Sequence, residues 1–151
     1  TQGVSSAASD VYKRQHDIGK IGIPDDVLLS PRRHTEQERA IMREHPVRGE
    51  HIFLTTGRSD AAAVARLIRA HHEAFDGSGY PDGLHGEHIP LGARIVTLAD
   101  AYDAMTSDRP YRAAMAHGTA LRILDDQAGG LIDPYVLQRF HRLLAQEPAL
   151  A

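Results

Sequence analysis

The sequence predicts an all-α domain. Apolar residues recur at helical spacing, as at Val64, Leu67 and Ile68. Helix-start signals precede the apolar stretches: Thr35 with Glu38 three residues on, Asp60, and Asp133 followed by Pro134. No alternating run long enough for a sheet is visible, apart from one glycine-rich stretch in which a hairpin would fit.

The elements follow in order. The segment HDIGKIGIP at 16–24 holds two glycines and a proline and reads as turns. Asp25 to Leu29 is a short helical stretch, closed by Ser30 and Pro31. The capping box at Thr35 opens a helix expected to run to about His45, where Pro46 breaks or kinks it. A further turn or two carries Val47, Ile52 and Phe53. Gly57 to Ser59 is a break, and Asp60 caps a helix that ends on His71 and His72. Phe75 to Pro90 is a glycine-rich loop, long enough inside a small domain to suggest a function. Leu91 to Ser107 returns to helix with Ile95, Leu98, Tyr102 and Met105 on one face, and Asp108-Arg109-Pro110 ends it. His117 to Gln127 and Pro134 to Leu144 are the closing helices.

Composition narrows the function classes. The chain has 151 residues, enough for one compact domain, with 42% hydrophobic and 25% charged residues. With no Cys, neither a disulfide framework nor a thiolate metal site can form. A formal charge of −3 with interspersed signs argues against a nucleic-acid polymer as partner. No apolar run reaches membrane-spanning length and no signal peptide is visible, so the expected location is cytoplasmic. Ten His residues prompt a search for a metal site.

The first fifteen residues stand apart from the rest. Ser5 to Gln15, SSAASDVYKRQ, resembles the in-frame translation of a sequencing-library adapter. Residues 1–15 are therefore expected to be a non-native or disordered leader, with 16–151 the domain proper and its upstream helices missing.

Candidate ligands cluster at expected helix ends: His16 with Asp17, the adjacent pair His71 and His72, Asp100, and His45 at a helix break. Imidazole and carboxylate suit zinc, iron or manganese, and a carboxylate can bridge two ions. Successive helical residues point about 100° apart, so His71 and His72 could each serve a different ion. Two ions ~3.5–4 Å apart would clamp the attacking and leaving oxygens of phosphoryl transfer. Each residue also has a plainer reading: a chance dipeptide, a surface His pair, a capping His45, an exposed or ion-paired Asp100. Their combination with the loop favours a site, with Asp17, His71, His72 and Asp100 converging, Lys20 facing them and His45 at the rim. His34, His85, His88, His117 and His141 should lie outside it.

Four stretches, HDIGKIGIP at 16–24, EHPVRGEHI at 44–52, HHEAFDGSGYPDGLHGEHIPLGARI at 71–95 and ADAYDAMTSDRPYR at 99–112, together resemble the HD-GYP domains. The resemblance implies an HD-type helical bundle with a long GYP loop, and two or three divalent ions, iron or manganese. It implies hydrolysis of cyclic di-GMP to pGpG, and in some members on to GMP, in bacterial second-messenger signalling. By the same resemblance His16, Asp17, His45, His71, His72 and Asp100 are metal ligands, with Asp17 the bridge. A water held between the ions is the implied nucleophile. Lys20 would clamp the scissile phosphate and help protonate the leaving oxygen. Arg109 and Arg112 would hold phosphate, though an ion pair of Arg109 with Asp108 or Asp103 is the plainer alternative. Gly79, Tyr80 and Pro81 are the GYP element. Tyr80 is expected beside a guanine or against a partner such as a GGDEF-domain protein, unless the element is turn chemistry alone.

The family supplies a further ligand from a helix before His16, where this chain has the adapter-like segment. The chain by itself is therefore expected to be weakly active or inactive, and its parent to carry an upstream sensory or receiver domain. Two other functions compete: an HD-type phosphohydrolase acting on another cyclic dinucleotide or nucleotide, and a non-catalytic module that binds GGDEF proteins.

Overall fold

The structure is a computed structural model and describes residues 15–108 and 112–146. Apart from Gln15, the expected leader lies outside the described residues, as does Arg109. The described chain is helical, and the all-α expectation holds. It divides into two compact units, Thr1–His72 and Glu73–Ala151.

In the first unit a 3-10 helix at Ile18–Gly22 leads to four α-helices: α1 (Asp25–Leu28), α2 (Glu36–Met42), α3 (His45–Leu54) and α4 (Ala61–Ala70). The capping box forms: the Thr35 hydroxyl accepts the Glu38 N–H at 3.3 Å, and Glu38 Oε2 accepts the Thr35 N–H at 2.7 Å. Two corrections concern the helix breaks. Pro46 starts a helix instead of breaking one, because in the first turn of α3 its missing N–H has no intrahelical partner to lose. α3 is accordingly ten residues long, not a turn or two. Asp60 stands at the N-cap of α4 but makes no cap, since Arg58 holds both its oxygens at 2.8 and 2.9 Å. α4 buries Ala61, Ala65 and Ile68, the face at i, i+4 and i+7.

Two glycines let this unit close. A Cβ on Gly19 would collide with the His45 carbonyl oxygen and with the backbone nitrogen of Gly49. A Cβ on Gly49 would stand 2.7 Å from Ile68 Cγ2. The 3-10 helix therefore lies backbone-to-backbone on the start of α3, which in turn lies directly on α4. The ends of these three elements carry Asp17, His45 and His71.

The second unit begins with the loop, which includes a 3-10 turn at Gly86–His88. It continues as α5 (Leu91–Thr106), α6 (His117–Asp126) and α7 (Pro134–Gln146). No strand occurs among the described residues, so the loop is not a hairpin, and the bridge of Ala128 with Ile132 is isolated. The loop's backbone bonds elsewhere. Phe75 and Asp76 donate to the carbonyls of Leu131 and Gly130 at 3.2 and 2.9 Å. Leu98, Leu124, Ile132, Val136 and Leu137 form the core, with Tyr102, Met105 and Phe140 packed against it. Ile95 shares the face of Leu98 but lies at its open edge. It is 49% exposed and, with Leu91, Tyr135 and Leu143, lines an apolar groove of about 350 Å³. Asp133 caps α7 by accepting the Tyr135 and Val136 N–H groups at 2.7 and 3.4 Å. Its other oxygen accepts from Arg94 of α5 at 2.6 Å. No described helix is long and apolar enough to cross a membrane.

Candidate metal centre

Asp17, His45, His71 and His72 each bring one ligand atom into a group whose members all lie within 4.8 Å of one another. Asp17 precedes the 3-10 helix, His45 opens α3, and His71 and His72 follow the last turn of α4. Each element delivers its donor at an end, where the chain turns away and leaves the side chain directed at its neighbours. His45 is not at a rim. It is 1% exposed, with His71 at 3%. Burial follows from the glycine contact, which puts the backbone of Gly19 against the His45 carbonyl.

The hydrogen bonds define which nitrogens face inward. His45 Nδ1 donates to the Met42 carbonyl at 2.7 Å, and His71 Nδ1 donates to the Ile68 carbonyl at 2.6 Å. A carbonyl can only accept, so both protons sit on Nδ1 and both Nε2 atoms present lone pairs. These lone pairs face each other at 3.2 Å, and Asp17 Oδ1 stands 3.4 Å from His45 Nε2 and 3.9 Å from His71 Nε2. Backbone carbonyls holding the outer ring nitrogens are the usual support of imidazole ligands.

Electrostatics point the same way. Burial pushes His71 down to about 4 and His72 to about 3, the latter with help from His71. Burial also lowers His45. Burial alone would raise Asp17, but the Lys20 hydrogen bond and charge, aided by His16 and His45, hold its carboxyl below the usual range. At neutral pH the group is thus three uncharged imidazoles and one carboxylate, with the lone pairs of His45 and His71 turned inward. That donor set, convergent and with His45 and His71 buried, fits a divalent cation.

Around this group, Lys20 Nζ donates to Asp17 Oδ2 at 2.6 Å. His16 flanks it, with Nε2 3.9 Å from Asp17 Oδ2 and its ring 4.8 Å from that of His71. Asp100 lies exposed on α5 in the second unit and is not one of the four. Arg112 is exposed and donates to the Ala104 carbonyl. His34, His85, His88, His117 and His141 are all outside the group. His34 bonds the Val27 carbonyl, His117 bonds Tyr102, and His141 bonds Asp125.

Just ahead of the GYP loop stands a residue whose part its place in the sequence does not by itself reveal. Glu73, 1% exposed, accepts the Asp82 N–H at 2.8 Å on one oxygen and the Leu84 N–H at 3.0 Å on the other. A carboxylate placed just ahead of a glycine-rich loop, whose N–H groups lack strand partners, was the available signal. The Tyr80-Pro81 peptide within this arch is cis.

The HD domain family matches residues 7–136, and the chain belongs to that family. It is 47% identical over 131 residues to the cyclic di-GMP phosphodiesterase response regulator RpfG of Xanthomonas campestris, covering 87% of this chain and 35% of that protein. It is 44% identical over 130 residues to a cyclic di-GMP phosphodiesterase of Vibrio cholerae, covering 83% of this chain and 26% of that protein. Among solved structures, a cyclic GMP-AMP specific phosphodiesterase of V. cholerae superposes with a TM-score of 0.64 at 21% identity. That match covers 87% of this chain and 36% of the other, and bears on the fold. The chain spans about a third or less of the length of these relatives.

Proposed function

We propose that this chain is the catalytic domain of a metal-dependent phosphodiesterase that opens cyclic di-GMP to linear pGpG. The observation that carries the reading is the pair of facing Nε2 lone pairs at 3.2 Å beside Asp17. The two relatives named as cyclic di-GMP phosphodiesterases support the substrate.

In this reading Asp17, His45, His71 and His72 would hold divalent ions, with His16 and Asp100 as further donors. Two or three ions of iron or manganese fit these hard and borderline donors. When bound, the ions supply positive charge to offset the charge developing on the phosphodiester. The protein's own part is positioning. The outer ring protons of His45 and His71 stay on backbone carbonyls, so neither imidazole can turn away. Lys20, held by Asp17, presents an ammonium to the scissile phosphate and donates a proton to the departing 3′ oxygen. Water adds across one phosphorus–oxygen bond, so the ring opens to pGpG, and a second such step gives GMP. Arg109 and Arg112 grip phosphate oxygens, for which Arg112 exchanges its bond to Ala104. Tyr80 lies beside a guanine, and the GYP loop also meets GGDEF-domain partners. An upstream sensory or receiver domain and a cytoplasmic location complete the proposal.

The test is to load the chain with Mn(II) or Fe(II), alone and joined to its upstream sequence, and to assay cyclic di-GMP and 3′3′-cyclic GMP-AMP. Formation of pGpG by the joined protein, lost in Asp17→Ala, is the expected result. Cleavage of the mixed dinucleotide alone would reassign the substrate. Tight metal binding with no turnover of either would leave an interaction module.

A further inference from the structure

We infer that Glu73 is a positioning residue, whose carboxylate sets the shape of the loop that carries Tyr80 and thereby the affinity for substrate. The inference rests on the phosphodiesterase reading for its kinetic consequence, and on geometry for the anchoring itself.

Glu73 follows His72 directly in the chain and is itself buried. The loop is fastened to this one residue at three points. At Gly79 it crosses the Glu73–Ala74 peptide so closely that a Cβ would collide with the Ala74 nitrogen and stand 2.5 Å from Glu73 Cα. Three and five residues later it returns, and the Asp82 and Leu84 N–H groups donate to the two carboxylate oxygens at 2.8 and 3.0 Å. Tyr80 and Pro81 are therefore the crown of an arch whose feet stand on the backbone and the side chain of Glu73.

Among the described residues no Lys or Arg pairs with this carboxylate, so the two loop N–H groups are what offset its burial. Such charge-assisted bonds are about twice as strong as neutral ones. An isosteric amide cannot replace them. Gln offers one acceptor oxygen, and its NH₂ would face the second N–H donor to donor. One foot of the arch must then lift, and a buried N–H is left without a partner. Tyr80 moves with it. Because the lone-pair group of Asp17, His45, His71 and His72 does not include Glu73, metal binding should survive the change.

The experiment compares the wild type with Glu73→Gln in the full-length protein loaded with Mn(II). Amide hydrogen exchange is followed residue by residue, together with bound metal and steady-state kinetics on cyclic di-GMP. In the wild type, the Asp82 and Leu84 amides should be protected to a degree comparable with α5. In Glu73→Gln at least one of them should exchange about tenfold faster. Metal content should be unchanged, KM should rise by about tenfold, and kcat should change by less than about threefold. Loss of kcat and metal together at unchanged KM would overturn the positioning role. So would unchanged exchange in the variant. If Glu73→Gln fails to fold, the wild-type amides decide the matter: exchange at free-peptide rates at both positions overturns the inference. If the wild type turns over no cyclic dinucleotide, the phosphodiesterase reading fails, while the exchange data still judge the anchor.

Discussion

His45 Nε2 and His71 Nε2 face each other at 3.2 Å, and neither carries a proton, because each ring has committed its proton to a backbone carbonyl. Two lone pairs at that distance repel unless a cation stands against both. A divalent cation held by this group would offset that repulsion.

Metal should stabilise the fold measurably. At a hundredfold excess over its dissociation constant a ligand that binds only the native state adds about 2.7 kcal/mol. Thermal unfolding with and without Mn(II) should show a rise in Tm that His71→Ala removes. His71→Ala should also weaken Mn(II) by more than the roughly 10–100-fold typical of losing an outer-shell partner. Equal Tm shifts in wild type and His71→Ala would refute the ligand assignment.

The metal-free chain should lose stability in acid in a defined window. His71 and His72 lie near 4 and 3 when folded, against 6.5 when unfolded. Below about pH 6.5 the unfolded chain takes up protons that the native histidines refuse, so stability falls with pH. Each histidine adds up to about 1.4 kcal/mol per pH unit until its folded value is reached. Urea unfolding between pH 7 and 4.5 measures this, and His72→Gln should flatten the slope.

Asp17 and Lys20 form one unit at 2.6 Å, with the carboxyl held low largely by that ammonium. Asp17→Ala should abolish turnover of cyclic di-GMP and reduce bound metal. Lys20→Met should leave metal content near that of the wild type while lowering kcat by about 10²-fold, the lower end of general-acid contributions. If Lys20→Met retained wild-type kcat, Lys20 would have no part in the chemistry.

Gly19→Ala should be damaging out of proportion to its size. The added methyl meets backbone atoms of His45 and Gly49 that cannot rotate aside, so a loss of about 1–3 kcal/mol is expected, with weaker metal binding as Asp17 is displaced. Gly118→Ala is the control. Its methyl meets nothing within 4 Å, and on α6 it should be neutral or stabilising by up to about 1 kcal/mol. Urea midpoints of the two variants decide between them.

Asp133→Ala should destabilise the second unit by about 3–5 kcal/mol, since it leaves a mostly buried Arg94 without its partner and uncaps α7. Arg94→Met combined with Asp133→Asn should recover part of the loss, because the cap is kept and the buried charge is gone. Chemical denaturation of the single and double variants measures the difference.

Much of this was legible from residues whose effect is local. Thr35 and Glu38 cap a helix wherever they fall in this spacing, and Asp133 before Pro134 does the same. The HD, HH and EHP stretches announced imidazole and carboxylate donors because ligand chemistry belongs to the side chain itself. Pro46 misled because proline has two meanings, helix breaker inside and helix starter at the first turn, and only the neighbouring turns choose between them. Asp60 misled because a nearer cation, Arg58, outcompeted the helix N–H groups for its carboxylate.

By itself, then, the sequence determined the helical class, most element boundaries and the types of donor available for metal. Tertiary structure alone decided which donors meet and in what state. The contact of Gly19 with the start of α3 buries His45 among Asp17, His71 and His72 instead of leaving it at a rim. The Met42 and Ile68 carbonyls fix the tautomers, and burial keeps the imidazoles neutral. Glu73 became an anchor only when the loop closed back over it. Each of these depends on atoms brought together through space, and so on distances and desolvation that no local pattern encodes.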